Sequence, residues 1–226
     1  MPSRVIAFDV NETLLDLRPL DPLFEELFGD ASARGQWFAQ MLQVAFVGAI
    51  TDRYVDFTSA QLAALDMVAQ RRGISVPRDA GDRVSATMRA LPAHPDVDDA
   101  LVRLRTGGHR LAALTNSPDD VAQAQLAHAG LSERFDAILS ADAVRALKPR
   151  REPYDLVART FDVPIGEVTL VAAHAWDVAG ALAAGCRAAF VVRPGMPSNP
   201  IGPEPDITGA DLGEVADRIL AAPDPR

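Results

Sequence analysis

The side chains best suited to chemistry in this sequence begin directly after a short apolar run near the N-terminus. Residues 5–8 are apolar, and Asp9 follows them, with Asn11 and Thr13 in the polar turn beyond. Consecutive apolar residues predict a strand buried on both faces. A carboxylate at the end of such a strand lies where open α/β sheets bind their ligands, so Asp9 is a candidate nucleophile. It could equally cap the turn, as aspartate often does.

A second set of polar side chains follows later predicted strands or lies in the loops after them: Thr115, Asn116, Lys148, His174 and Asp177. Right-handed crossovers bring the carboxyl ends of parallel strands to one edge, so we expect this set to share a crevice with Asp9. A lysine would keep Asp9 ionised, and a hydroxyl or backbone amides could hold an anionic substrate. A second carboxylate could bind a metal or activate water. The pattern indicates attack by Asp9 to give an ester that water then cleaves.

The elements that must position these residues fall into two patterns. From residue 20 to 91 the apolar spacing predicts four helices, the first beginning near Asp21 and the third ending near Gly73. The third helix is predicted to bury one face that includes Leu62 and Met67. Four helices without an intervening strand predict a separate module inserted after the first strand.

From residue 92 onward, short apolar runs alternate with helical patterns, and one of these helices is predicted over residues 178–184. Such alternation predicts an α/β fold with a doubly wound, parallel, Rossmann-like sheet. We therefore expect an α/β core domain from residues 1–17 and 92–226, and a helical cap domain over residues 18–91.

Composition limits the class of protein. The chain has 226 residues, a net charge of −9 and one cysteine, Cys186. An acidic chain without a basic run is a poor candidate for binding nucleic acid or an anionic membrane. The sequence shows no signal peptide and no apolar segment of the ~20 residues that span a bilayer. We therefore expect a cytoplasmic protein with a small-molecule substrate and neither nucleic acid nor membrane as a partner.

Four of these residues, in this order and strand context, resemble the motifs of the haloacid dehalogenase-like hydrolase superfamily: Asp9, Thr115, Lys148 and Asp177. The resemblance extends over about residues 5–192. It implies that Asp9 is the nucleophile, that Thr115 and Lys148 are the second and third motifs, and that Asp177 is the acidic fourth motif.

Within this superfamily, phosphatases carry a second aspartate two residues after the nucleophile. That position is Asn11 here, and an amide cannot act as a general acid. The closer resemblance is to the type II (L-2-haloacid) dehalogenases, which match at several positions: Asp9, Thr13, Leu14, Asp16, Tyr154, Ala175, Trp176 and Asp177. That branch needs no metal cofactor, whereas a phosphatase would need magnesium.

This resemblance implies that Asp9, with Thr13 among the catalytic residues, displaces a halide from C2 of a small acid. Lys148 and Asp177 would then position the water that cleaves the ester. The remaining residues of the implied substrate pocket are Val10, Asn11, Thr115, Asn116, Tyr154, His174, Trp176, Trp37 and Gln40. Thr115 and the backbone amides near Val10 and Asn11 would hold the substrate carboxylate. The resemblance also allows a homodimer.

The halide site departs from that family, because Phe38 follows Trp37 where the family has an arginine that receives the halide. Possible replacements are Gln40, Arg34, Arg53 and His174. His174 replaces a family asparagine, and it could donate to a leaving halide, act as a base, or merely be a structural histidine. Three functions stay open: a dehalogenase, a magnesium-dependent phosphatase, and an impaired relative that binds a small carboxylate or a partner.

Overall fold

The computed structural model describes residues 5–222, and its centre is a six-stranded parallel sheet in the order β3-β2-β1-β4-β5-β6. The strands are β1 (Val5–Phe8), β2 (Arg110–Thr115), β3 (Ala137–Ser140), β4 (Val168–Ala172), β5 (Arg187–Val191) and β6 (Ile207–Gly209). The order runs outward in both directions from β1 and β4, so the topological switch point lies between these two strands. The α/β class with a doubly wound sheet is confirmed, and the switch point is where such sheets bind ligands.

The helices between β1 and β2 are α1 (Asp21–Phe28), α2 (Ala33–Ile50), α3 (Phe57–Arg72), α4 (Ala80–Arg89) and α5 (Val97–Thr106). Those after β2 are α6 (Asp119–His128), α7 (Arg151–Phe161), α8 (Ala175–Ala184) and α9 (Leu212–Ala221). We call α1 to α4 the helical segment. At its two ends, Leu15 pairs with Ala93, and the amide of Asp16 donates to the carbonyl of Pro92 at 2.9 Å. The chain therefore leaves and re-enters the sheet layer at adjacent points.

Two details of the sequence prediction are wrong. Leu62 and Met67 are exposed, because the buried stripe of α3 follows the spacing of Ala60, Ala64 and Val68, and positions 62 and 67 fall outside it. Helix α8 begins at Ala175 instead of residue 178, three residues after β4 ends at Ala172. Its first turn therefore carries Trp176 and Asp177.

Strand β1 is buried on both faces, and alternate side chains enter different apolar clusters. Ile6 and Phe8 belong to a cluster that also includes residues of the helical segment, such as Phe24 and Met41. Val5 and Ala7 pack with apolar residues of α7 and α8. Burial on both sides fixes the end of β1, and hence Asp9, in position. No helix within residues 5–222 is long and apolar enough to cross a membrane.

Candidate active site

Asp9 lies at the switch point and is only 5% exposed. Its backbone amide donates to the carbonyl of Val171 on β4 at 3.0 Å, which ties the end of β1 to its neighbour. Oδ1 of Asp9 accepts a hydrogen bond from Nζ of Lys148 at 2.9 Å, and Oδ2 accepts one from the Thr13 hydroxyl at 2.8 Å. The structure thus brings Lys148, 139 residues away in sequence, to the opposite oxygen of Asp9 from the neighbouring Thr13.

Lys148 is completely buried and lies between two carboxylates. Besides Asp9, its ammonium group contacts Oδ2 of Asp177 at 2.6 Å and the carbonyl of Leu114 at 2.9 Å. Asn116 holds the lysine backbone: its Oδ1 accepts from the Lys148 amide at 2.8 Å, and its Nδ2 donates to the Lys148 carbonyl at 3.1 Å. Burial disfavours the charged lysine, but the charges of Asp177 and Asp9 outweigh burial and raise the pKa of Lys148.

The two carboxylates beside Lys148 have opposite pKa shifts. Burial alone would raise the pKa of Asp9, but the Lys148 charge and the hydrogen bond from His174 hold it well below its usual range. Burial raises the pKa of Asp177 despite the nearby lysine. Asp9 is therefore the carboxylate that stays ionised and available for attack.

Tyr154 forms a hydrogen bond with the other carboxylate oxygen of Asp177. Its hydroxyl donates to Oδ1 of Asp177 at 2.6 Å. The close approach of α7 and α8 depends on Gly180, where a Cβ atom would lie 2.6 Å from the Tyr154 hydroxyl and 2.5 Å from Cβ of Pro149. Both oxygens of Asp177 are consequently engaged by protein donors.

His174 lies between two carboxylates and is 6% exposed. Nδ1 lies 3.0 Å from Oδ2 of Asp9, and Nε2 lies 3.0 Å from Oε2 of Glu12. Burial would lower the pKa of His174, but these two hydrogen bonds outweigh burial and raise the pKa to about 9. The imidazole is therefore a cation at neutral pH.

Glu12 is a site residue that the sequence interpretation missed. Its backbone has φ 61°, in the left-handed region, and its carbonyl contacts Nε2 of His94 at 3.2 Å. Arg34 of α2 reaches Oε1 of Glu12 at 3.4 Å, which leaves Oε2 to His174. The signal in the sequence was the histidine at 174, since a buried cationic ring requires an acidic partner.

Aromatic rings surround the imidazole. Phe38 of α2 stacks on His174 with ring centroids 5.6 Å apart, and Trp176 stacks on it at 5.3 Å. Phe46 of α2 packs edge-on against Trp176 at 5.3 Å. The helical segment thus reaches His174 and Trp176 through two phenylalanines.

Three of the residues proposed for substrate binding shape the loops beside Asp9. Val10 is fully buried. Asn11 donates to the Ser117 hydroxyl at 3.3 Å and accepts from Gln125 at 3.0 Å. The hydroxyl oxygen of Thr115 accepts from the Ser117 amide at 3.1 Å.

Trp37 and Gln40 have their principal contacts inside the helical segment instead of at Asp9. The indole of Trp37 donates to the carbonyl of Gln61 at 2.9 Å, and the amide of Gln40 bonds to Arg71 at 2.7 Å and Gln43 at 2.6 Å. Arg53, one of the suggested halide ligands, has an exposed side chain. Trp37, Gln40 and Arg53 are therefore not among the residues that we propose to bind substrate.

The residues present do not fit a magnesium site. Within residues 5–222, no group of three or more His, Cys, Asp or Glu is arranged to hold a metal ion. More directly, the oxygens of Asp9 and Asp177 already face donors: an ammonium group, two hydroxyls and an imidazole. A cation would have to displace these donors before it could bind.

A doubly wound sheet with a lysine-paired aspartate after its first strand defines a class of hydrolases that attack through a carboxylate. The model of the haloacid dehalogenase-like hydrolase family matches residues 3–185, so the chain belongs to that family.

Several characterised proteins are similar to the chain over nearly its whole length. (S)-2-haloacid dehalogenase H-109 of Pseudomonas putida is 26% identical over 97% of this chain and 99% of its own. The solved L-2-haloacid dehalogenase of Xanthobacter autotrophicus, with chloropropionic acid covalently bound, is 26% identical, covers 97% and 99% of the two chains, and has a TM-score of 0.89. The solved structure of a predicted phosphoglycolate phosphatase from Haemophilus somnus, at 17% identity and a TM-score of 0.70, shares the fold alone.

Proposed function

We propose that this hydrolase converts small 2-haloalkanoic acids to 2-hydroxy acids through an ester on Asp9. The observation that carries the proposal is the ionised, buried carboxylate of Asp9, which contacts Lys148 at 2.9 Å at the switch point of the sheet. The similarity to haloacid dehalogenases, one of which is solved with a covalently bound substrate, supports the same chemistry.

In the first step, an oxygen of Asp9 attacks C2 of the substrate. The new C–O bond forms as the carbon–halogen bond breaks, and the electron pair leaves with the halide. Lys148 keeps the nucleophile ionised, and Thr115 with the backbone amides of Val10 and Asn11 holds the substrate carboxylate. Holding the Asp9 carboxylate and C2 of the substrate together, away from water, supplies much of the rate enhancement.

In the second step, His174 acts as the general base for ester hydrolysis, and Glu12 orients it. Esterification removes the charge of Asp9, so the pKa of His174 falls and the imidazolium releases a proton to solvent. Neutral His174 then takes a proton from water as the hydroxide adds to the Asp9 carbonyl carbon. As the bond between that carbon and the alkoxide oxygen breaks, the imidazolium of His174 gives its proton to the alkoxide, which becomes the hydroxy acid. The acid proton left on Asp9 then passes to the neutral His174 and restores the imidazolium and the ionised Asp9.

Asp177 is less suited to the role of base, because Lys148 and Tyr154 engage its two oxygens at 2.6 Å each. We assign it to holding Lys148 in place. Glu12, by contrast, lies beside a cavity of about 70 Å³ that is also lined by Arg18 and His94, which offers a route for the released proton.

We also propose that residues 18–91 form a cap over the site, as the contacts of Phe38 and Phe46 support. The cap would exclude water during attack and thereby strengthen the electrostatic interactions. Exposed Val47 and Ile50 on α2 support a homodimer through this surface. We propose a cytoplasmic location because the chain has a single cysteine. Sedimentation of the purified protein tests the homodimer, and cell fractionation tests the location.

The test of the function is halide release from chloroacetate, bromoacetate and 2-chloropropionate enantiomers. We expect the wild type to release halide with chelator present and Asp9→Asn to release none, because an amide cannot form the ester. Failure of the wild type on every 2-haloacid would refute the proposal, as would equal release by Asp9→Asn.

A further inference from the structure

His174 carries a proton in the resting site, whereas ester hydrolysis in the proposed dehalogenation uses it only after that proton is lost. We propose that the same site also hydrolyses small epoxy acids, which carry a carboxylate on an oxirane ring, and that His174 is the acid that protonates the opening ring. This inference goes beyond the proposed dehalogenation and shares with it the Asp9 nucleophile and the small carboxylate substrate.

The imidazole of His174 is held beside the nucleophile. Nδ1 lies 3.0 Å from Oδ2 of Asp9, and Nε2 lies 3.0 Å from Oε2 of Glu12. Phe38 and Trp176 both stack on the ring, which is 6% exposed. Both ring nitrogens of an imidazolium carry protons, so the Nδ1 proton points at an oxygen of Asp9. An acidic proton is therefore in place beside the nucleophile before substrate arrives.

The neighbouring cations are weaker acids than His174. Lys148 contacts the other oxygen of Asp9, and Arg34 contacts the other oxygen of Glu12. The pKa of Lys148 is raised by nearby carboxylates, and an arginine stays protonated in proteins. The pKa of His174, about 9, still allows it to give its proton to an alkoxide, which is a much stronger base.

A halide and an alkoxide differ in what they need when they leave carbon. A halide leaves as a stable anion and takes no proton, whereas the alkoxide formed by ring opening is strongly basic and needs one. With a haloacid, the proton of the resting imidazolium takes no part in the first step and must reach solvent before the base can act. With an epoxy acid, the first step consumes that proton. The charge of the resting site therefore suits an oxygen leaving group.

The smallest epoxy acid, oxirane-2-carboxylate, matches the proposed haloacid substrates in size. It has three carbons, one of them the carboxylate, as 2-chloropropionate has, and its ring oxygen replaces the halogen on C2. Thr115 and the amides of Val10 and Asn11 would hold its carboxylate in the same way. Near-attack geometry places C2 about 3–3.5 Å from the attacking oxygen, so a nitrogen 3.0 Å from Asp9 can reach the oxygen bonded to C2.

Protons and electrons balance over one turnover. An oxygen of Asp9 bonds to C2 as the C2–O bond of the ring breaks, and the imidazolium gives its proton to the oxygen that stays on C3. Neutral His174 then takes a proton from water as the hydroxide adds to the carbonyl carbon of the Asp9 ester. As this carbon releases the C2 oxygen, the imidazolium protonates that oxygen, and the acid proton left on Asp9 passes to His174. The product is a 2,3-dihydroxy acid, and no proton is released to solvent.

The test measures 2,3-dihydroxypropanoate formed from each enantiomer of oxirane-2-carboxylate, with Asp9→Asn as background. We expect wild type to form the dihydroxy acid. A single turnover in water labelled with heavy oxygen should place the label in Asp9 and leave the product unlabelled, because the ester transfers a carboxylate oxygen to C2.

His174→Asn tests the acid role directly. Ester formation from the epoxy acid should slow by about 10²- to 10⁴-fold, the contribution of a positioned general acid. Ester formation from chloroacetate needs no proton and should continue, and the intact protein mass detects both adducts. A thermal melt checks independently that the variant is folded. The matched control is His128→Asn at an exposed histidine, which should react with both substrates like wild type.

A wild type that releases halide from chloroacetate but forms neither dihydroxy acid nor adduct from either epoxy acid enantiomer would overturn this inference and leave dehalogenation intact. Equal rates of adduct formation from the epoxy acid by His174→Asn and wild type would also overturn it. Ring opening by a wild type that releases no halide from any haloacid would support this inference and overturn the proposed dehalogenation. The two failures are therefore distinguishable.

Discussion

Replacing His174 by asparagine should separate the two chemical steps. The substitution introduces the residue type that type II dehalogenases carry at this position, but an amide cannot accept a proton from water at neutral pH. Asp9 would lose one hydrogen bond to Oδ2 and keep those from Thr13 and Lys148, so attack on the substrate should still proceed. The ester should form and then persist.

The size of the expected fall in kcat follows from the role of His174 as a general base. A positioned general base contributes roughly 10²- to 10⁴-fold, so kcat for His174→Asn should fall by about that factor. The assay mixes enzyme with chloroacetate, follows chloride, and measures the intact protein mass. We expect a burst of one chloride per active site and an adduct on the peptide that contains Asp9.

The matched control is His128→Asn, because His128 is an exposed histidine at the end of α6. It should turn over like wild type without an adduct. Steady turnover by His174→Asn at the wild-type rate, with no adduct, would refute the assignment of the base. Ester that accumulates in Asp177→Asn and not in His174→Asn would move the role to Asp177.

Four further outcomes are expected. In Glu12→Gln, the rate of ester hydrolysis should begin to fall only at a lower pH than in wild type, because removing the carboxylate lowers the pKa of His174. The same single-turnover rate against pH for both proteins would contradict this. The pKa of His174 is raised to about 9, so charged His174 stabilises the fold. This stabilisation is fully present below about pH 6.5 and is lost as the pH rises through 9. Urea titrations should therefore show wild type losing up to about 3 kcal/mol more than His174→Asn between pH 6 and 10, and parallel curves would refute it. Tyr154→Phe should cost about 1–3 kcal/mol of unfolding free energy by leaving an oxygen of Asp177 unpaired, which a thermal melt checks against wild type. A chelator should leave halide release unchanged, and a loss that magnesium restores would contradict the donor set around Asp9.

The main features of the fold could be predicted because the sequence alternates apolar runs with helical patterns. Parallel strands with right-handed crossovers place their carboxyl ends at one edge, and this rule predicts that Asp9, Lys148 and Asp177 lie together. Residue type and order are enough for this inference, since the topology supplies the proximity.

Glu12 could not be predicted in the same way. Its carboxylate reaches His174 only because its own backbone takes φ 61°, a local conformation that the sequence of the turn does not require. The predicted burial of Leu62 and Met67 was wrong for a related reason. Their apolar side chains suggested burial, but small alanines on the adjacent stripe let α3 pack closely on its neighbour instead.

The stack between Phe38 and His174 joins the helical segment to the segment that follows β4, and it has an evolutionary consequence. In type II dehalogenases the corresponding pair is an arginine and an asparagine. An arginine at position 38 would bring a second cation against the imidazolium, whereas an asparagine at position 174 would leave Phe38 without its aromatic partner. Either single replacement is therefore worse than both together. The two lineages should be separated by a fitness valley at these two positions, and sequences with a mixed pair should be rare.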